Sequence, residues 1–79
     1  MDLQKFKDLS RLALEVTDDL GIDREAVSIP LDLKGQGNAV VQNGNKLVII
    51  GPSGDLAPFI ERLPALLEAL DLSAVPTFP

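Results

Sequence analysis

The chain has 79 residues with neither Cys nor His, and its seven Lys and Arg against twelve Asp and Glu give a formal charge of −5. That length allows a single domain, one that buries only roughly 60–65% of the surface its unfolded form exposes. Small domains supplement so thin a core with disulfides, a metal or a partner subunit. Without thiolate or imidazole only an all-oxygen site for a hard cation is chemically open, which leaves association as the expected supplement and no cofactor or metal expected.

At 46% hydrophobic and 24% charged the chain is too apolar for intrinsic disorder. Its negative charge has the wrong sign for following a phosphate backbone or settling on an anionic bilayer, so neither nucleic acid nor membrane is expected as a partner. The opening MDLQKFKDLSRL is charged through its first turns, unlike a signal peptide, and no apolar run approaches a membrane span. Cytoplasmic residence is the expectation that follows.

From Asp2 to Leu20 the apolar residues Leu3, Phe6, Leu9, Leu12, Ala13, Val16 and Leu20 recur at the three-and-four spacing of an amphipathic helix. Gly21 stands where a left-handed C-terminal residue is wanted, and Asp23 is placed to cap one short turn, DREAV. The period then changes to two, with Val27, Ile29, Leu31 and Leu33 alternating with Ser28, Pro30 and Asp32, which predicts a half-buried strand. Pro30 has no N–H for a ladder and places that strand at a sheet edge.

After the turn Lys34 to Gly37 comes NAVVQNGNKLVIIG, a β-hairpin about Asn43-Gly44-Asn45, whose residue types tolerate the positive φ of tight turns. A two-residue turn pairs Val40 with Leu47, a three-residue loop pairs Val41 with Leu47, and the sequence leaves both open. GPSGD, Gly51 to Asp55, reads as a loop with Asp55 as the cap of a second helix. Leu56, Leu63 and Leu70 mark that helix's core stripe, and Pro64 predicts a kink or two short helices meeting near Leu63.

The expected fold is α+β in the order α-β-β-β-α, a three-stranded antiparallel meander with two helices on one face, because short connections set successive strands side by side. Residues 1–72 form this domain and residues 73–79 a C-terminal tail. In either hairpin register some of the apolar residues of AVV and LVII point away from the helices, where an antiparallel sheet with a wet face carries polar ones. A contiguous apolar strip of that kind marks an interface. Val40, Val48 and Ile50, with Val75 and Phe78 of the tail, are therefore the candidate interface residues, covered by self-association, by another protein or by the tail folding back.

Candidates for chemistry are few, and no catalytic residue is named. General acid or base work would fall to carboxylates or Lys moved in pKa by burial, and Asp32, the one acid in the predicted strand, is explained by an outward charge that blunts an edge. Asp18, Asp19 and Asp23 cluster without the spacing of a calcium loop. Gly51, Ser53 and Gly54 precede a helix N-terminus, where backbone N–H groups can hold an anion, although Asp55 sets a negative charge at that spot and no cation is expected nearby. The sequence thus predicts a non-enzymatic interaction module acting as a homodimer or small oligomer, the alternative being an anion- or nucleotide-binding domain built on the loop Gly51 to Asp55.

Overall fold

The computed structural model describes residues 3–77. The first helix, α1 (Leu3–Asp19), buries Leu9, Ala13 and Thr17, one residue per turn on a single side. It ends where the sequence predicts: Gly21 adopts φ +76, its N–H bonds the Asp18 carbonyl at 2.9 Å, and the Ile22 N–H reaches the Thr17 carbonyl at 3.0 Å. Those paired bonds satisfy carbonyls that the helix itself leaves unmet. Asp23 then accepts from the Glu25 N–H at 3.0 Å and caps a single 3₁₀ turn, Arg24–Ala26.

Strand β1 is only Val27–Ser28, followed by β2 (Asn38–Gln42), β3 (Lys46–Ile50) and the second helix, α2 (Leu56–Glu68). The sheet is mixed, with order β1-β3-β2, β1 running parallel to β3 and β2 antiparallel to it. The α+β class holds, but the antiparallel meander does not. Two features account for the difference. Pro30 has no N–H to extend the ladder, so pairing of the first strand stops at Ser28 and the alternating residues as far as Leu33, Asp32 among them, lie outside the sheet. The chain from Ile29 to Gly37 then crosses the end of β3 instead of turning back beside β1, held by Lys34 N–H to the Gly51 carbonyl at 2.9 Å. The central position goes to β3, which pairs with β2 through the hairpin along one edge and with β1 in parallel along the other.

The hairpin takes the three-residue loop, pairing Val41 with Leu47 and Val40 with Val48. Asn43 and Gly44 both have positive φ, 56° and 78°. In this register Ala39, Leu47 and Ile49 face the helices and are buried with Leu9, Ala13, Phe59, Leu63 and Leu67 in one core. Helix α2 is continuous through Pro64, so the predicted alternative of two short helices meeting near Leu63 does not form. Pro64 is exposed while Phe59, Leu63 and Leu67 are buried, so the lost bond to the Ile60 carbonyl falls on the solvent side and core packing holds the helix together. Leu70 lies beyond its end and still packs against the core, as Leu56 does.

The tail is pinned by its first residues. Val75 is 3% exposed and belongs to the core, Thr77 bridges Ile22, and the Pro76 carbonyl accepts from the Asp23 N–H at 2.9 Å. Asp71 orders the approach, its carboxylate accepting from the Ser73 N–H and hydroxyl at 3.1 and 2.6 Å, and these bonds hold its pKa below the ordinary aspartate value.

Candidate functional site

Strand alternation sends Asn38, Val40 and Gln42 of β2 and Lys46, Val48 and Ile50 of β3 to the face away from the helices. Val40 and Val48 are direct cross-strand partners, and Ser28 of β1 stands beside Val48 on the other side. The three apolar side chains are contiguous, with Val40 37% exposed and Val48 and Ile50 half-buried, and none belongs to the core. Ser28, Asn38, Gln42 and Lys46 frame them. An apolar centre within a polar rim is how interaction surfaces are composed.

The five predicted interface residues thus separate. Val40, Val48 and Ile50 come together on the outer sheet face; Val75 is spent in the core; Phe78 lies outside the described residues.

At the loop Gly51 to Asp55 two of the three residues proposed for a ligand, Gly51 and Ser53, make hydrogen bonds within the chain. Gly51 is buried, its carbonyl accepts from Lys34, and a Cβ there would strike the Leu9 and Leu33 side chains, so glycine is a packing requirement. The Ser53 N–H and hydroxyl both donate to the Gly35 carbonyl, at 3.1 and 3.2 Å. Gly54 is exposed, and Asp55 occupies the N-cap position of α2 with no side-chain bond to the helix. The loop therefore works as a clamp between the crossing segment and α2. One residue that sequence reasoning missed joins it: Arg62 donates to the Gln36 carbonyl at 2.7 Å and helps line a shallow depression with Gly54, Asp55 and Phe59. Only the fold brings Arg62 there, across 26 residues of chain, and no local pattern announces it.

The acidic cluster at the end of α1 is likewise occupied. Arg24 grips the Asp18 carboxylate through Nε at 3.2 Å and Nη2 at 2.6 Å, and that side-chain hydrogen bond, more than the accompanying charge attraction, holds the Asp18 pKa below its ordinary value. A carboxylate in the last turn of a helix opposes the dipole, so the Arg24 contact offsets an unfavourable placement. Asp32 and Lys34 form an exposed pair at 3.1 Å. Among the described residues no group of three or more His, Cys, Asp and Glu is placed to hold a metal ion, no buried side-chain nitrogen or oxygen lacks a partner, and no helix is long and apolar enough to cross a membrane.

Compared with known proteins, the chain matches no family model, no curated protein and no solved structure.

Proposed function

We propose that this chain is a small, acidic, non-enzymatic interaction module that works as a homodimer or small oligomer, its working surface being the outer face of the sheet. The supporting observation is the contiguous strip of Val40, Val48 and Ile50, outside the core and rimmed by Ser28, Asn38, Gln42 and Lys46. Burial of apolar surface is the main drive for association, at roughly 25 cal/mol per Å² removed from water before the costs of binding. A second copy is the preferred occupant because the strip is nearly neutral on a chain of net charge −5, so identical protomers can meet there with their carboxylates held apart.

The test is the double substitution Val48→Thr with Ile50→Thr, which keeps β-branched residues in the strand while making the strip polar. Its average mass in solution, measured by light scattering at matched concentrations, should fall towards the 8.5 kDa of the single chain. An oligomeric wild type whose mass is unchanged by the substitutions would remove the outer face from the interface.

A further inference from the structure

The two edges of this sheet are not equivalent. On one side β1 is two residues long and followed by Pro30, a blunted edge with little backbone to offer. The other edge is β2, five residues without Pro, and among the described residues no backbone hydrogen bond joins its outer side to another element. Edge strands are ordinarily protected by charge. Here, in a chain that is 24% charged, no charged residue occurs from Gly35 to Asn45, so the whole of β2 and both its flanks are uncharged.

Which groups that edge presents follows from the hairpin. The Gln42 carbonyl turns towards β3 to accept from the Asn45 N–H at 3.3 Å. Antiparallel ladders alternate, so Asn38, Val40 and Gln42 direct their backbone groups to β3, while Ala39 and Val41 direct theirs outwards. We propose that a second copy of this chain joins at that edge, the two β2 strands pairing antiparallel about Val40 to make one sheet from the three strands of each protomer.

The sequence of β2, Asn-Ala-Val-Val-Gln, is complementary to itself in that arrangement. A dyad at Val40 sets Ala39 opposite the partner's Val41, and these are the residues whose N–H and C=O groups point outwards, so the hydrogen-bonded pairs fall where donors and acceptors are available. Val40 meets the partner's Val40 at a non-hydrogen-bonded position, where side chains approach most closely, and Asn38 faces the partner's Gln42, amide to amide. Because Val40 is also the cross-strand partner of Val48, the apolar strips of both protomers become continuous across the dyad. No carboxylate lies in the contact, which matters for two chains that each carry −5.

This inference rests on the self-association proposed above and adds to it a contact at the edge, since edge pairing by itself leaves Val48 and Ile50 of β3 open to a further copy. The chain has no Cys, so a single Val40→Cys substitution at a partly exposed site reports on the dyad without interference. Opposed residues of a non-hydrogen-bonded antiparallel pair lie at about 4.5 Å between Cα atoms, within the span of a disulfide. The reference is Leu31→Cys, an exposed position in the crossing segment outside the sheet. Under mild oxidation Val40→Cys should form a covalent dimer on the order of tenfold or more faster than Leu31→Cys, since pairing in the dimer replaces random collision. Equal rates overturn the edge geometry. If the wild type is nonetheless oligomeric by mass, only the edge pairing falls; if it is a monomer, the self-association reading falls with it.

Discussion

Gly37 is the residue on which the crossing of β3 turns. It holds φ +83, and a Cβ added there would lie 2.6 Å from Phe59 Cδ1 and 3.0 Å from the Ile50 carbonyl oxygen. Gly37→Ala therefore meets both backbone strain and a clash with a fully packed ring, and should cost roughly 1–3 kcal/mol in denaturant unfolding. Gly54→Ala, where φ is ordinary and nothing lies within 4 Å, should be close to neutral in the same measurement. Asp18 offers a test by pH. Its carboxyl is depressed in the fold by the Arg24 hydrogen bond, so the contribution to stability is present above the ordinary aspartate pKa and is lost as pH falls through the lower folded value. A nuclear magnetic resonance titration should find the Asp18 midpoint below the ordinary value, and Arg24→Gln should return it there; a midpoint that ignores the substitution would contradict the assignment.

Among the elements, α2 contains a defect that its surroundings override. Pro64 removes a donor from the middle of the helix yet is exposed, with Leu63 and Leu67 beside it fully buried. Pro64→Ala should stabilise the protein by about 2 kcal/mol, the ~3 kcal/mol difference in helix propensity less the entropy that proline removes from the unfolded chain. A change below a few tenths in the denaturant midpoint analysis would show that α2 has already absorbed the defect. Local chemistry of this kind was legible in the sequence. Gly21 ends α1, Asp23 caps the 3₁₀ turn, and Asn43-Gly44-Asn45 turns the hairpin, because each depends on a few adjacent residues. Strand order was not, since it depends on which strand best fills a place between two others. The alternation of Ile29, Leu31 and Leu33 imitates a strand, while Pro30 halts the pairing and Leu33 leaves to pack beside Gly51 and Leu9. For the candidate surface, Val40, Val48 and Ile50 could be selected from period-two alternation, whereas the burial of Val75 needed the bridge between Thr77 and Ile22.

At the scale of the whole molecule the protomer closes its own core. Its Cα radius of gyration is 11.7 Å, against about 11.6 Å for a compact chain of this length. What the protomer leaves exposed is an apolar sheet face and one uncharged edge, next to each other and meeting at Val40. The function proposed above ties this sheet to contact with another chain, and a net charge of −5 favours contact through the uncharged region over contact elsewhere. The most direct measurement is absolute mass in solution by light scattering on a sizing column, over a wide range of protein concentration and at moderate salt. Self-association through the sheet requires a mass that rises to at least twice 8.5 kDa, whereas a single 8.5 kDa species at every concentration would contradict it.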